Sequence, residues 1–351
     1  MLELRQVAKV VEGETHIAPT SLALAPGSLN VLLGPSLSGK TSLLRLMAGL
    51  DRPTSGSIFD NGKDVTGVGV RKRNVAMVYQ QFVNYPAMTV YENIASPLRL
   101  AKTPAAELDA KVRGAAELLR LTPYLQRTPL TLSGGQQQRT ALARALVKGA
   151  GLVLLDEPLA NLDYKLREEL RDELPRIFAA SGAILVYATT EPTEALLLGG
   201  NTATLSEGRV TQFGPTVEVF RKPGDLITAQ TFSDPPLNTI AATKTGARFD
   251  LEGGTALPAP KGLADGPYVL GVRPHHLALD AQDKAAVAVA AQVSVTEITG
   301  SESFVHFPFG GTDWVMLTPG VHEYEPGAQV KVYIDAARVM VFSPDGATAG
   351  A

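Results

Sequence analysis

Residues Gly34-Pro35-Ser36-Leu37-Ser38-Gly39-Lys40-Thr41 fit the pattern G-x-x-x-x-G-K-[ST] of a phosphate-binding loop. The apolar run 29–33 before them predicts a strand, and apolar spacing over 42–48 predicts a helix that begins at Ser42. In that setting the backbone N–H groups of the loop and of the helix start form a cradle for phosphate. We expect Lys40 to reach the β- and γ-phosphates of a nucleotide and the Thr41 hydroxyl to hold Mg²⁺. We call residues 34–41 the P-loop.

A strand that ends in two carboxylates is a second candidate part of this site. The apolar run 152–155 predicts a buried parallel strand, and Asp156 and Glu157 follow it directly. Asp156 suits Mg²⁺ coordination through water, and Glu157 suits the role of a general base that polarises an attacking water. An acidic strand end alone is more often a solvated surface feature, but together with a P-loop it indicates nucleotide hydrolysis.

The segment Leu132-Ser133-Gly134-Gly135-Gln136 is a third feature with an affinity for phosphate. A helical pattern over 136–147 starts where this segment ends. The two glycines let the backbone approach a ligand closely, and a helix N-terminus favours negative charge. Because the P-loop already provides one phosphate cradle, a second one indicates that the nucleotide of another subunit docks here. We call residues 132–136 the signature segment.

Strands and helices alternate over the first two thirds of the chain, which predicts an α/β fold with a largely parallel sheet. Further predicted strands cover 2–7, 73–79 and 183–187, and further predicted helices cover 105–121 and 165–178. The pattern changes near residue 233. Short alternating segments at 268–272, 287–298, 304–309 and 329–334 then predict a small all-β domain, either a barrel or a sandwich. We therefore expect domains at 1–233 and 234–351.

Length and composition exclude several classes of protein. The 351 residues allow two or three domains, and a hydrophobic content of 45% is typical of a globular chain. The lack of cysteine excludes disulfide scaffolds, thiolate zinc sites and cysteine nucleophiles. A formal net charge of −3 argues against nucleic acid as a partner. With no signal-peptide pattern and no apolar stretch near the roughly 20 residues that span a bilayer, we expect a cytosolic chain that does not enter a membrane by itself.

The order of P-loop, signature segment and Asp156-Glu157 resembles the ATPases of ATP-binding-cassette (ABC) transporters, and the resemblance covers nearly the whole chain. It points to the ATPase subunits of sugar and polyol importers of the maltose and glycerol-3-phosphate type. Tyr79-Gln80-Gln81-Phe82-Val83 and the residues that follow resemble the Q-loop region of that branch, and Ala160-Asn161-Leu162-Asp163 resembles its D-loop. Gly271-Val272-Arg273-Pro274 and Glu297-Ile298-Thr299-Gly300 resemble its β-rich regulatory extension, which is built from oligonucleotide-binding-type (TOBE/MOP-like) folds.

This resemblance implies an α/β P-loop NTPase cassette with a helical subdomain at about 86–150, followed by the regulatory domain. It implies ATP and Mg²⁺ as ligands, bound in a head-to-tail dimer between the P-loop of one cassette and the signature segment of the other. Gln80, with Thr41 and Asp156, would contact Mg²⁺ and sense the γ-phosphate. The segment from Phe82 to Tyr91 would receive a cytoplasmic helix of one of two membrane permeases, which work with an external substrate-binding protein. The chain would then lie on the cytoplasmic face of the bacterial inner membrane.

Three positions depart from the family pattern, and all three belong to one half of the site. The family has a histidine 33 residues after the catalytic glutamate, where this chain has Thr190, which can donate a hydrogen bond but has no proton-accepting ring. The family places an aromatic residue against adenine about 23 residues before the P-loop, where this chain has Val11, with His16 the nearest ring. The third P-loop glycine of the family is Leu37 here; a side chain without a β-branch can fit there, but we expect it not to fit if the loop needs a positive φ.

These departures favour a subunit whose own ATP site is degenerate and whose signature segment completes the site of a second, non-identical ATPase. Tyr187-Ala188-Thr189-Thr190-Glu191 resembles a glycerol-importer branch that has two ATPases, so a glycerol-like cargo is favoured. One alternative is a homodimeric importer ATPase for another sugar or sugar phosphate. Another is a regulatory subunit that binds ATP with little hydrolysis. A soluble cassette protein of DNA repair or translation is a third alternative, which the single cassette and the permease-facing segment disfavour.

Overall fold

The computed structural model describes residues 1–81, 83–160, 162–180, 182–251, 254–281 and 286–349, and it divides into two units, Met1–Val217 and Glu218–Ala351. The strands of the first unit are β1 (Leu2–Val11), β2 (Glu14–Leu24), β3 (Leu29–Leu33), β4 (Ser55–Asp60), β5 (Lys63–Asp64), β6 (Val75–Val78), β7 (Leu152–Asp156), β8 (Ile184–Thr189), β9 (Asn201–Ser206) and β10 (Arg209–Pro215). Its helices are α1 (Lys40–Ala48), α2 (Val90–Leu100), α3 (Ala105–Leu118), α4 (Gly134–Lys148), α5 (Tyr164–Ala180) and α6 (Pro192–Leu198).

Six strands form the sheet that carries the P-loop, in the order β10-β9-β3-β8-β7-β6. Strands β9, β3, β8, β7 and β6 run parallel, and β10 pairs antiparallel with β9. Every residue of β7 and β8 is buried, as expected for continuous apolar runs inside a parallel sheet. The carboxyl ends of β3, β6, β7 and β8 therefore bring the P-loop, Gln80, Asp156 and Thr190 to one edge of the sheet.

A second, antiparallel sheet has the order β2-β1-β4-β5. One hydrophobic cluster joins this sheet to α1 and to one face of the parallel sheet, with Leu4, Leu46 and Leu154 among its members. The predicted strand at 2–7 is present as the longer β1, whose pairing with β2 shifts register near Gln6, a residue with a φ of 50°. The alternation of polar and apolar residues predicted this strand, but it does not reveal that β1 belongs to a separate sheet.

The opposite face of the parallel sheet packs against helices α2, α3, α4 and α5. Val153 and Leu185 of the sheet share a hydrophobic cluster with Ile94 of α2, Leu142 of α4 and Leu170 of α5. Side chains alternate between the two faces of a strand, so neighbouring residues of β7 contribute to different clusters. Helices α2, α3 and α4 all fall within the range 86–150 that the resemblance assigns to a helical subdomain.

The second unit contains mainly antiparallel strands. Its elements, beginning with the helix at the division, are α7 (Thr216–Arg221), α8 (Leu226–Thr231), β11 (Asn238–Thr245), β12 (Arg248–Leu251), β13 (Ala256–Pro258), β14 (Gly266–Val272), β15 (Leu277–Ala278), β16 (Val287–Gln292), β17 (Val295–Ile298), β18 (Glu302–Phe309), β19 (Thr312–Pro319), β20 (Gln329–Ile334) and β21 (Met340–Phe342). They form sheets in the orders β13-β12-β11-β14-β21, β15-β20-β16 and β17-β18-β19 around a core that includes Trp314.

Two boundaries in this unit differ from the sequence patterns. The predicted strand at 287–298 is two strands, because β16 pairs with β20 whereas β17 pairs with β18. The structure divides the chain after Val217 and not after residue 233, because α8 packs Ala229 against Leu237 and Phe342 of the β-rich unit. The break at Asp234-Pro235-Pro236 therefore falls inside the second unit.

Candidate nucleotide site

The P-loop connects β3 to α1 and surrounds the side chain of Lys40. The Lys40 ammonium is buried and donates to the backbone carbonyls of Gly34, at 2.8 Å, and Pro35, at 3.0 Å. Burial lowers the pKa of Lys40, while the nearby carboxylates of Glu157 and Asp156 oppose that shift. The loop therefore holds a cation in a fixed place beside a cavity of about 490 Å³.

The ends of β6 and β7 supply the polar side chains that face the P-loop. The Thr41 hydroxyl donates to Asp156 Oδ2 over 2.7 Å, and the Gln80 amide donates to Glu157 Oε2 over 3.0 Å. The other Glu157 oxygen lies 3.8 Å from Lys40 Nζ. Burial raises the pKa of Asp156, although the hydrogen bond from Thr41 and the charge of Lys40 act against it. The structure thus brings these five predicted residues together.

The backbone at Glu157 holds its carboxylate toward this cavity. Glu157 has a φ of 47°, in the left-handed region, and its N–H donates to the carbonyl of Ala188 over 3.0 Å. From α4, the Gln138 amide donates to the carbonyl of Pro158 over 2.7 Å. Strained backbone of this kind persists where surrounding contacts determine it fully. The contact from Gln138 to Pro158 was not predicted, because no sequence motif links these two residues, which lie 20 positions apart.

Two P-loop positions differ in whether they have room for a side chain: Gly34 has none, and Leu37 has ample room. A Cβ at Gly34 would clash with the backbone carbonyl oxygen of Leu205, which cannot move aside as a side chain can, so glycine is required at that turn. Leu37 has a φ of 65°, in a region that costs an L-residue about 1–2 kcal/mol. The expectation that leucine would not fit a positive φ is therefore wrong. Its side chain is 100% exposed and clashes with nothing, so the cost stays local to the backbone.

The residues around this cavity fit a nucleoside triphosphate with a divalent cation. They come from the P-loop, from the facing strand ends and from two further turns: Ser36, Leu37, Gly39, Lys40, Thr41, Ser42, Gln80, Glu157, Thr15, His16, Glu207 and Gly208. Ser38 Oγ is buried and has no hydrogen-bond partner among the described residues. Because buried polar groups are normally paired, this hydroxyl is suited to donate to a bound ligand. Hydroxyl, amide and carboxylate oxygens form the hard donor set that Mg²⁺ prefers.

The residues predicted to lie near the adenine occupy different places. Val11 ends β1 and does not line the cavity, whereas His16 of β2 does. Glu207 and Gly208, in the turn between β9 and β10, also line it and were not predicted. This turn reaches the cavity because β9 pairs in parallel with β3, and sequence spacing does not report which strands pair.

Thr190 lies outside the main cavity, at a separate pocket of about 20 Å³ that Glu157, Arg167 and Glu194 also line. Its side chain is exposed, whereas the preceding Thr189 is buried. The end of β8 is bonded to the main site through its backbone, because the carbonyl of Thr189 accepts the N–H of Gly34 at 3.4 Å. Position 190 is therefore a neighbour of Glu157, although the two residues follow different strands.

The signature segment forms the start of α4. Ser133 Oγ accepts the N–H of Gln136 at 3.4 Å, and Gln136 Oε1 accepts the N–H of Ser133 at 3.0 Å, which completes a capping box. Gly134 and Gly135 are the first two residues of the helix, which therefore begins two residues before the predicted 136. Ser133, Gly134, Gly135 and Gln136 do not line the P-loop cavity of their own chain.

A further cavity of about 750 Å³ lies between α2, α4 and the segment that follows Gln80. Tyr85, Pro97, Leu100 and Arg144 are among the residues that line it. The Arg144 guanidinium stands over the Tyr85 ring, 5.1 Å from its centroid, and donates to the carbonyl of Val83. Two predicted positions, Phe82 of the permease-facing segment and Asn161 of the D-loop, lie outside the described residues.

A cassette with a P-loop opposite an Asp-Glu strand end, and with a separate capped signature helix, defines the class of ABC ATPases. The ABC transporter family matches residues 17–160, and the TOBE domain family matches residues 270–342. Among solved structures, the dimeric ATP-binding cassette MJ0796 in a post-hydrolysis state, bound to ADP and Pi, aligns with a TM-score of 0.57 and 27% sequence identity. That match covers 62% of this chain and 99% of MJ0796.

The chain belongs to the family of ABC transporter ATP-binding proteins. It is 33% identical over 353 residues to the putative uncharacterized ABC transporter ATP-binding protein YcjV of Escherichia coli K12, covering 98% of each chain. It is 38% identical over 333 residues to the sn-glycerol-3-phosphate import ATP-binding protein UgpC of Salmonella typhimurium, covering 93% of this chain and 92% of UgpC. The UgpC of Paracoccus denitrificans is 35% identical over 343 residues, covering 97% and 96%.

These matches confirm the predicted fold class, a P-loop ABC cassette followed by an all-β TOBE domain, and they confirm the predicted class of ATPase. Within the part of the chain that the structure describes, no helix has both the length and the apolar character needed to cross a bilayer.

Proposed function

We propose that this chain is the ATP-binding subunit of an importer for a small polyol, a sugar or a phosphate ester of one, with a glycerol-like cargo favoured. The observation that carries the proposal is the cluster of Lys40, Thr41, Asp156 and Glu157 at one edge of the parallel sheet. Relatives named for sn-glycerol-3-phosphate import, at 35–38% identity over nearly the full length, support the cargo class.

The side chains at this edge divide the work of hydrolysis. ATP contains the phosphoanhydride bond that is broken, and Mg²⁺, when bound, would neutralise charge on the leaving phosphates. Lys40 would hold phosphate oxygens, and the Thr41 hydroxyl and the Asp156 carboxylate would hold the cation. Glu157 orients the attacking water and accepts its proton. Gln80 donates to Glu157 and so keeps that carboxylate turned toward the cavity.

Thr190 is the reason to propose that this subunit's own site is slow. A histidine at this position offers a ring nitrogen that accepts or donates a proton, whereas threonine offers one hydroxyl. The signature segment keeps its residues and its capping box, so it can complete the ATP site of a second, non-identical ATPase. The proposed complex is therefore a heterodimer of ATPases with one fast site and one slow site.

The cavity between α2 and α4 is the proposed docking site for a permease. It is large, about 750 Å³, and it combines the apolar Leu100 and Pro97 with the aromatic Tyr85 and the cationic Arg144. A short amphipathic helix with an acidic or carbonyl-bearing end fits such a groove. Through two permeases of this kind the subunit would lie on the cytoplasmic face of the membrane and work with an external substrate-binding protein.

Steady-state hydrolysis of Mg–ATP by the purified chain, alone and with a second ATPase subunit, tests this proposal. We expect the chain alone to bind ATP and hydrolyse it slowly, and the pair to be fast. Glu157→Gln serves as the control for contaminating ATPases. High turnover by the isolated wild-type chain would contradict the degenerate site and leave a homodimeric importer ATPase as the function. ATP binding with no hydrolysis in either setting would indicate a regulatory subunit.

A further inference from the structure

A buried carboxyl that the reaction described above does not use stands behind position 190. Glu194, in the first turn of α6, is 8% exposed. It accepts hydrogen bonds from the Tyr187 hydroxyl, over 2.6 Å, and from the Thr189 hydroxyl. Burial raises the pKa of Glu194, and the two hydroxyl donors act against that shift. A buried polar cluster of this kind is stable when each member has a partner.

The Thr189 hydroxyl also fixes the chain beyond position 190. It accepts the N–H of Glu191 over 3.0 Å, and the Glu191 carboxylate lies 3.5 Å from the Arg167 guanidinium on α5. The residues before and after Thr190 are therefore tied to a single hydroxyl, which Glu194 holds in turn. Thr190 lies between these ties with its own side chain exposed.

The strand end that Glu194 holds is bonded to both halves of the hydrolytic machinery. The carbonyl of Thr189 accepts the N–H of Gly34 in the P-loop, and the carbonyl of Ala188 accepts the N–H of Glu157. A displacement of this strand end would move both groups. A displacement of about 1 Å at a reacting centre can cost about 100-fold in rate.

We propose that Glu194 is a positioning residue for ATP hydrolysis, which fixes residue 190 beside Glu157 by holding the Tyr187 and Thr189 hydroxyls. It does not line the P-loop cavity, so it acts through these partners and not on the nucleotide. The inference rests on the proposed function in one respect: it takes hydrolysis at that cavity as the reaction.

Two substitutions of Glu194 separate its hydrogen bonds from its volume. Glu194→Gln keeps an acceptor oxygen, and a hydroxyl can rotate to accept from the new amide, so we expect kcat within about twofold of wild type. Glu194→Leu removes the acceptor of two buried hydroxyls, and we expect kcat to fall about tenfold while KM for ATP stays nearly constant. Glu117→Leu, at an exposed site on α3, is the matched control and should change neither value. A fall in ATP affinity with unchanged kcat would overturn the proposal.

A double-mutant cycle with Thr190→His gives the sharper measurement. If Glu194 positions residue 190, a gain from Thr190→His should shrink to less than about twofold in the Glu194→Leu background. Additive effects would instead mean that Glu194 acts elsewhere. If Thr190→His gives no gain in any background, the degenerate-site part of the proposed function fails, and the comparison of wild type with Glu194→Leu still decides the positioning role.

Amide hydrogen exchange provides a readout that does not depend on activity. We expect Glu194→Leu to speed exchange of the Glu191 amide about tenfold, because its acceptor Thr189 is released, while the Leu154 amide in β7 stays protected. Unchanged exchange at Glu191 would overturn the proposal. Should Glu194→Leu unfold, Tyr187→Phe removes the other hydroxyl that Glu194 holds, leaves the Thr189 acceptor of the Glu191 N–H in place, and is judged by the same two amides.

Discussion

The P-loop and the signature segment each precede a helix, yet their local structures differ. Helix α1 begins after Gly39, which has a φ of 101° and no side chain to cap the helix, and the loop before it holds Leu37 in the left-handed region. Helix α4 begins after Ser133, with both hydrogen bonds of a capping box. The P-loop carries strain and gives α1 no side-chain cap, whereas the signature segment satisfies part of its own hydrogen bonding.

The departures from the family pattern follow the same division. Of the three departures, Leu37 lines the P-loop cavity, Thr190 lies at the neighbouring pocket and Val11 lines neither, whereas the signature segment has no departure. Under the proposed function, the two halves of one chain serve two different ATP sites in a head-to-tail pair. The proposal therefore predicts that substitutions in the P-loop and in the signature segment affect different ATP sites.

The largest expected effect comes from a charge in the signature segment. Gly135→Asp places a carboxylate where the partner's phosphates would lie, so the ATPase activity of the chain with a second ATPase subunit should fall about 100-fold. Lys40→Ala, in the P-loop of the same complex, should reduce that activity by less than about threefold, because the slow site contributes little. Phosphate release at saturating Mg–ATP measures both.

Gly135→Asn controls for volume without charge. An aspartate in the first turn of a helix favours the helix, so a loss of activity in Gly135→Asp does not report unfolding of α4. Equal losses of activity from Gly135→Asp and Lys40→Ala would remove the proposed asymmetry between the P-loop and the signature segment.

A smaller gain is expected from restoring the missing ring. Thr190→His should raise the turnover of the isolated chain by about 10-fold or more, less than the roughly 10²–10⁴-fold that a fully positioned proton-transfer group contributes. Thr190→Val is the control, because it removes the hydroxyl without adding a ring. No change with histidine would shift the defect to Val11 or Leu37, which Val11→Tyr and Leu37→Gly then separate.

Short-range patterns account for the part of the site that the sequence revealed. The P-loop spacing, the apolar run into Asp156 and Glu157, and the glycines of the signature segment each lie within a few residues. The rest depends on contacts between distant segments. The Glu207-Gly208 turn reaches the cavity through the pairing of β9 with β3.

The strain at Leu37 shows a different limit of sequence analysis. Sequence identifies an unusual residue in a loop, but a fold with a net stability of about 5–15 kcal/mol can carry a cost of about 1–2 kcal/mol, so the residue alone does not decide the backbone conformation. In the structure Leu37 takes up the left-handed conformation, with a φ of 65°. The buried cluster of Tyr187, Thr189 and Glu194 could not be predicted either, because no sequence motif distinguishes these three residues from other residues of strands and helices.

The capping box gives a stability test of the signature segment. Ser133→Ala removes the N-cap acceptor, and we expect a loss of about 1 kcal/mol in the free energy of unfolding without nucleotide. Ser133→Thr keeps a hydroxyl cap and should be nearly neutral. Urea denaturation of the two variants beside wild type measures the difference. An unchanged midpoint for Ser133→Ala would mean that α4 does not depend on this cap in the free chain.

The smallest effect is expected at Leu37, and its sign is opposite. Leu37→Gly removes the penalty of a left-handed leucine, about 1–2 kcal/mol, but adds freedom to the unfolded chain worth about 0.5–1 kcal/mol, so we expect a net stabilisation of about 0.5 kcal/mol. Because the leucine side chain is fully exposed, its removal costs no packing. Leu37→Ala keeps the backbone penalty and should leave the urea midpoint unchanged. Equal urea midpoints for the glycine and alanine variants would show that the P-loop backbone is not strained. The P-loop and the capped signature segment would then differ in the groups they offer a ligand and not in their contribution to the free energy of unfolding.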